Sequence, residues 1–303
     1  MNTEQTDTDM RRLLRGVGVA LVTPFDSRGE IDFEALGRVV DSVTEGGADY
    51  LVALGTTAET PALSREERSA VAAFVRQRNA GRLPLAVGVG SNCTSLVQRM
   101  IEDIDLDGYS ALLSVTPYYN KPSQRGLFEH YKAVAAASPL PVIMYNVPGR
   151  TGVNMLPETT LRLAREVENI AAIKEASGDM AQIETLLRGR PEGFCILSGD
   201  DSLAIDVIER GGDGVISVAA NVFTRRFAEA VHTALSGDTE GARRLCAPLG
   251  EAIRTLFVEG NPTGVKTALN VKGLTGPWLR LPLVEGSAEL RSRFERIFAE
   301  YDL

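Results

Sequence analysis

Short, unbroken apolar runs alternate along this chain with longer stretches in which apolar residues recur every three to four positions. The runs are Val17–Leu21, Tyr50–Leu54, Leu85–Val89, Ser110–Ser114, Val142–Tyr145, Ile170–Lys174, Phe194–Ser198 and Gly214–Val218. Apolar on both faces, they predict strands of a parallel sheet that is covered on both sides. The stretches between them predict helices. One spans Phe33–Val43 and stops at Gly46-Gly47; the next opens on the capping box Ser64-Arg-Glu-Glu67 and ends by Gly81. The others are Thr94–Ile104, Gln124–Ala137, Pro157–Val167, Met180–Leu187 and Leu203–Glu209. Eight strand–helix units in about 220 residues match a (β/α)8 TIM barrel in count and size. A doubly wound open sheet is the alternative. Against it, no Gly-x-Gly-x-x-Gly opens a helix after the first strand, and Val87-Gly-Val-Gly-Ser-Asn92 is too short for a dinucleotide fingerprint. Ala228–Val258 and Leu290–Phe298 predict further helices, around Pro/Gly clusters at Asn261-Pro-Thr-Gly264 and Gly276-Pro277. The expected organisation is a disordered tail over 1–14, a barrel over 15–236 and a C-terminal helical domain over 237–303.

Composition narrows the function classes. The 303 residues are 44% hydrophobic and 24% charged, ordinary for a globular protein with a large core. The net charge is −8, and no dense Lys/Arg stripe argues for nucleic acid or an anionic membrane. No apolar run approaches the roughly 18 residues of a membrane span, and the polar start carries no signal-peptide core. Cys93, Cys195 and Cys246 are odd in number and far apart, so neither a disulfide framework nor a zinc site is indicated. A reducing, cytoplasmic compartment fits. His130 and His232 both fall in helix-like stretches and predict no metal centre. No cofactor is expected.

Candidate chemistry gathers at the strand ends, where barrels of this type place it. Lys174 is one of only five lysines and ends the apolar run Ile170-Ala-Ala-Ile173. The other four, Lys121, Lys132, Lys266 and Lys272, lie in polar, helical or loop-like sequence. An amine at the end of a buried strand is desolvated, which favours the neutral, nucleophilic form. Around it the strands deliver Thr23-Pro24, Gly55-Thr-Thr-Ala-Glu59, Thr116-Pro-Tyr-Tyr-Asn120, Tyr145-Asn-Val-Pro-Gly-Arg-Thr-Gly152, Ser198-Gly-Asp-Asp201 and Ile216-Ser-Val-Ala-Ala-Asn221. Singly, each has a plain alternative. Lys174 could pair with an acid such as Glu175, Thr56, Thr57, Asp200 and Asp201 could cap helices, and Tyr145 or Tyr118-Tyr119 could be packing. Together they supply what Schiff-base chemistry needs. Lys174 is the amine, Tyr145 with a threonine hydroxyl the proton shuttle, and Arg150 the carboxylate anchor.

With Thr116-Pro-Tyr-Tyr-Asn-Lys-Pro122, Ile173-Lys-Glu-Ala-Ser-Gly178 and Gly214-Val-Ile-Ser-Val218 added, these motifs resemble the dihydrodipicolinate synthase family, in order, from about Gly16 to Lys266. The resemblance implies a homotetramer built from two dimers. It would condense pyruvate with L-aspartate 4-semialdehyde to 4-hydroxy-tetrahydrodipicolinate, in lysine and diaminopimelate biosynthesis. It implies that Lys174 forms the Schiff base with pyruvate. Tyr145, Thr56 and Tyr119 would form the proton relay, with Tyr119 reaching across a dimer interface. Thr57 would hold the pyruvate carboxylate, with Gly199 and the backbone of Ile216 also at the substrate, and Arg150 would hold the semialdehyde carboxylate. Ala58 and Gly149 depart from the common Gly and Ser without removing a reacting group.

Two rivals stand beside this reading. A sister aldolase, acting on sugar acids as N-acetylneuraminate lyase does, would share Lys174 and Tyr145 but not the anchor in Pro148-Gly-Arg-Thr-Gly152. A non-catalytic regulatory protein on the same fold would have no use for the amine. The resemblance also bears on feedback by lysine. The positions matching the family's lysine pocket read Arg65, Arg68 and Leu96, with only Asn92 and Tyr118 of that pocket kept, so insensitivity to lysine is expected.

Overall fold

The computed structural model describes residues 10–301. The eight apolar runs form eight parallel strands in a closed barrel, each paired with the next and the last with the first. They are β1 (Gly16–Ala20), β2 (Tyr50–Ala53), β3 (Leu85–Gly88), β4 (Ala111–Val115), β5 (Val142–Asn146), β6 (Ile170–Glu175), β7 (Cys195–Ser198) and β8 (Gly214–Ser217). Closure comes from β1 and β8, in the register Gly16↔Gly214 to Val19↔Ser217.

The eight barrel helices are α1 (Phe33–Glu45), α2 (Arg65–Asn79), α3 (Thr94–Asp103), α4 (Gln124–Ala137), α5 (Pro157–Glu166), α6 (Met180–Gly189), α7 (Ala204–Glu209) and α8 (Ala220–Leu235). The capping box of α2 forms as expected. Ser64 Oγ accepts from the Glu67 N–H at 3.1 Å, and Glu67 accepts from the Ser64 N–H at 2.8 Å. The fold is the expected TIM barrel.

Period-two alternation divides each strand between two cores. On β5, Val142 and Met144 pack outward under the helices, while Ile143 and Tyr145 point into the barrel. On β6 the register shifts after Ile170, and from there the alternation holds: Ala172 faces in and Ile173 outward, so Lys174 also faces in. Tyr50 crosses the lower barrel. A Cβ on Gly18 would fall 2.2 Å from its ring, so glycine is required at that crossing.

Two sequence expectations change. The expected tail lies outside the described residues up to Asp9, but residues 10–14 are helical, with Met10 and Leu14 buried in the barrel-interior cluster. Arg11 also donates to the buried Asp213 at 2.8 Å. Three apolar side chains, Met10, Leu13 and Leu14, have a barrel end to cover, which local sequence did not reveal. Second, the Pro/Gly cluster Asn261-Pro-Thr-Gly264 does more than separate the predicted helices. It opens a helix over Thr263–Val271, whose Val265, Ala268 and Leu269 join the main core.

That core also takes in Ala242, Leu249, Ile253, Phe294 and Ile297, so it runs from the barrel into the C-terminal helices without a break at residue 236. Among the described residues, no helix is long and apolar enough to cross a membrane.

Candidate active site

The strand ends converge on one rim, as the sequence predicts. Tyr145 and Lys174 are register partners on β5 and β6. Lys174 is 4% exposed. Its ammonium lies over the Tyr145 ring, 4.3 Å from the centroid. Nζ makes no hydrogen bond or ion pair among the described residues. Burial lowers its pKa from the usual lysine range to about 8; the Asp201 carboxylate opposes this, and Arg150 adds to it.

Glu175, the acid next in sequence, does not pair with Lys174. Its carboxylate accepts from Asn146 Nδ2 at 3.0 and 3.1 Å, from the Ser177 N–H at 2.7 Å and from Gln182 Nε2 at 3.1 Å. Burial raises its pKa against those bonds. Asn154 joins the network through Asn146 at 2.7 Å and Gln182 at 2.8 Å. The network therefore ties the loop carrying Arg150 to the end of β6.

Tyr145 is buried, which raises its phenol pKa, while interaction with the Thr56 side chain and the charge of Arg150 oppose the rise. Thr56 and Thr57 lie in a tight turn, Thr56–Ala58, directly after β2. Thr57 Oγ1 accepts from Asn261 Nδ2 at 3.0 Å. Arg150 sits on a one-turn helix, Pro148–Thr151, and donates to the Asn261 carbonyl at 3.1 Å. Asn261 thus touches both candidate carboxylate anchors. Sequence reading missed it, because Asn261-Pro-Thr-Gly264 reads there only as a Pro/Gly cluster between predicted helices. The apolar spacing of Val265, Ala268 and Leu269 behind it was the available signal.

Gly199 packs against the lysine. A Cβ there would lie 3.1 Å from Lys174 Cε and 2.6 Å from the Ala176 Cβ. Ile216 is fully buried inside the barrel. Asp201, read as a possible cap, is buried, and its Oδ2 accepts from the Val218 and Ala219 N–H groups at 3.2 and 2.9 Å. It fixes the loop after β8 and places a negative charge near Lys174.

A cavity of about 490 Å³ opens beside these groups, lined among others by Thr56, Tyr145, Arg150, Tyr118, Arg68 and Leu96. Tyr119 does not line it. It is 84% exposed, with φ at 72°, and its N–H donates to the Thr151 carbonyl at 3.3 Å. Its own chain leaves this side chain outside the site. Among the described residues, no group of three or more His, Cys, Asp or Glu is placed to hold a metal.

The sequence profile of the dihydrodipicolinate synthetase family matches residues 13–301, nearly all of the chain. The chain belongs to this family. It is 49% identical to the 4-hydroxy-tetrahydrodipicolinate synthase of Azobacteroides pseudotrichonymphae over 289 residues, covering 95% of this chain and 97% of that one. The synthase of Parabacteroides distasonis is also 49% identical, over 271 residues, 89% of this chain and 91% of the other. Among solved structures, the dihydrodipicolinate synthase of Thermotoga maritima superposes with a TM-score of 0.93 at 39% identity, over 96% of this chain and 99% of that one.

Proposed function

We infer that this chain is a 4-hydroxy-tetrahydrodipicolinate synthase, a lyase of lysine and diaminopimelate biosynthesis that condenses pyruvate with L-aspartate 4-semialdehyde. The observation that carries the reading is Lys174. It is a buried amine with no acceptor among the described residues, set against Tyr145 at the barrel's strand ends, in a chain of this family.

The neutral amine of Lys174 attacks the pyruvate C2 carbonyl. Tyr145, with Thr56 beside it, passes the protons that turn the carbonyl oxygen into a departing water and leave an imine. Thr57 receives the pyruvate carboxylate, beside Gly199 and the backbone of Ile216. Loss of a methyl proton gives the enamine, whose carbon attacks the semialdehyde carbonyl. Arg150, on the open side of the cavity, holds the semialdehyde carboxylate, and a guanidinium fork suits that contact. The semialdehyde's own amine then displaces Lys174 and closes the ring.

Tyr119 completes the relay from a neighbouring subunit. Its exposure supports that role, since a tyrosine held out from the surface in a left-handed conformation gains little within its own chain. A homotetramer in the cytoplasm, needing no cofactor, is the assembly we propose.

Borohydride added with pyruvate tests the reading. A reduced pyruvate adduct on Lys174, with turnover in an assay supplying both substrates, supports it. Faster use of sugar-acid aldehydes in parallel assays would favour a sister aldolase, and no adduct at Lys174 would refute the mechanism.

A further inference from the structure

The sequence suggested that Lys174 was the one lysine in an apolar setting. The structure holds a second. Lys266, on the helix Thr263–Val271, is fully buried. Its ammonium pairs with Glu59, whose side chain is equally buried. It also donates to the Trp278 carbonyl at 3.0 Å and lies 4.1 Å from the Phe25 ring centroid. The Arg280 guanidinium lies 4.5 Å from the same ring, and the Arg280 backbone N–H donates to Glu59 Oε2 at 3.0 Å. Burial lowers the pKa of Lys266 to about 8, as it does for Lys174. Burial alone therefore does not separate the two lysines. Their partners do, because Lys266 has a carboxylate and a carbonyl and Lys174 has neither among the described residues.

No step of the Schiff-base sequence uses Glu59 or Lys266. Nor is stability a sufficient reason for the pair, since well-packed apolar groups of similar volume often do as well as a buried ion pair. The position of Glu59 supplies a reason. It lies at the junction of two tight turns, Thr56–Ala58 and Thr60–Ala62, in the left-handed region at φ 54°. A non-glycine residue holds that conformation only where its surroundings over-determine it. Two residues earlier, Thr57 is latched to the same C-terminal segment through Asn261. One segment therefore grips the turn at Thr57 and again at Glu59.

We propose that the buried Glu59–Lys266 pair is a positioning device for the reaction. It clamps the Thr56–Thr57 turn so that both hydroxyls keep a fixed place relative to Tyr145 and Lys174 when the keto acid binds. Neither residue touches substrate. The proposal rests on the functional reading above, and it assigns the C-terminal helices a part in pyruvate binding.

Two variants of the full-length protein test it: Glu59→Gln/Lys266→Met, which removes both charges at similar volume, and Glu59→Asp, which keeps the charge on a shorter arm. Each is measured for melting temperature, borohydride trapping at Lys174 and steady-state kinetics with both substrates. The folded double variant should raise the pyruvate KM about tenfold and lower kcat, with the semialdehyde KM within about threefold of wild type. Glu59→Asp should move in the same direction. A folded double variant with wild-type pyruvate kinetics, or with equal losses for both substrates, overturns the proposal. If the double variant does not fold, wild-type kinetics in Glu59→Asp overturns it. Absence of trapping in the wild-type protein would instead overturn the functional reading, whatever the variants do.

Discussion

Lys174 and Tyr145 are register partners on adjacent strands, and the lysine ammonium rests 4.3 Å from the centre of the tyrosine ring. The aromatic face is a favourable contact for a charge that has no acceptor among the described residues. Such a contact offsets part of the cost of burial but leaves the amine free to react.

The pH dependence follows from this placement. With its pKa near 8, Lys174 is mostly protonated at neutral pH. The kcat/KM for pyruvate should therefore rise about tenfold per pH unit well below 8 and level off above it. The same burial costs stability. The unfolded lysine keeps a pKa near 10.5, so the penalty is full below about 8 and disappears as pH rises towards 10.5. Lys174→Met should be inactive yet more stable at pH 7, by an amount on the order of 1–3 kcal/mol. Denaturant unfolding of both proteins at pH 7 checks this, and a less stable Lys174→Met would contradict it.

Gly199→Ala should act through the lysine. The added methyl would meet Lys174 Cε at 3.1 Å and the Ala176 Cβ at 2.6 Å, so the lysine stem or the β7 loop must shift. We expect kcat to fall by about tenfold or more, because a displacement of about 1 Å at a reacting group can cost a hundredfold. Single-turnover trapping with pyruvate would locate the loss at imine formation. An unchanged trapping rate would mean the strand ends absorb the methyl.

Arg150→Ala should separate the two substrates. A guanidinium–carboxylate contact contributes on the order of 1.5–3 kcal/mol. Use of the semialdehyde should weaken roughly ten- to a hundredfold on that basis, with pyruvate affected much less. Equal loss for both would count against the assignment.

Tyr119→Phe should lower turnover without unfolding the protein, since the side chain is 84% exposed. Mixed under subunit exchange with an inactive Lys174→Ala protein, it should regain activity, because one hybrid site then holds both Lys174 and Tyr119. Exchange without recovery would place Tyr119 in the service of its own chain.

Lysine at millimolar concentration should not inhibit. Arg65 is paired with Asp103 at 2.6 Å, and Arg68 donates to the Leu63 carbonyl at 2.8 Å. Arg68 and Leu96 line the cavity beside Tyr118. An incoming ammonium would meet positive charge and find no carboxylate at Leu96, and a lost charge-assisted contact costs about 1.5–3 kcal/mol. Inhibition assays over a lysine series decide this, and strong inhibition below a millimolar would contradict it.

Sequence alone determined the barrel, because its signals are local. Unbroken apolar runs bury on both faces, and the Ser64–Glu67 box starts a helix with neighbouring residues only. It also determined which residues stand at the strand ends, since a two-residue period fixes which side chains point inward. Lys174 and Tyr145 were legible for that reason, while Thr56 and Arg150, beyond the strands in a tight turn and a one-turn helix, were legible from the motifs that follow the strands.

Tertiary structure decided what depends on distant partners. Glu175 looked like a possible partner for Lys174, yet it faces Asn146 and Gln182 instead. Lys266 looked like an ordinary helical lysine, and only the approach of Glu59, 207 residues earlier in the chain, buries and pairs it. Asn261, part of a Pro/Gly cluster in the sequence, gains a role only where its side chain meets Thr57 and its carbonyl meets Arg150. Each of these contacts joins segments far apart in sequence. Its free energy comes from desolvation and geometry that exist only once the barrel and the C-terminal helices have packed together.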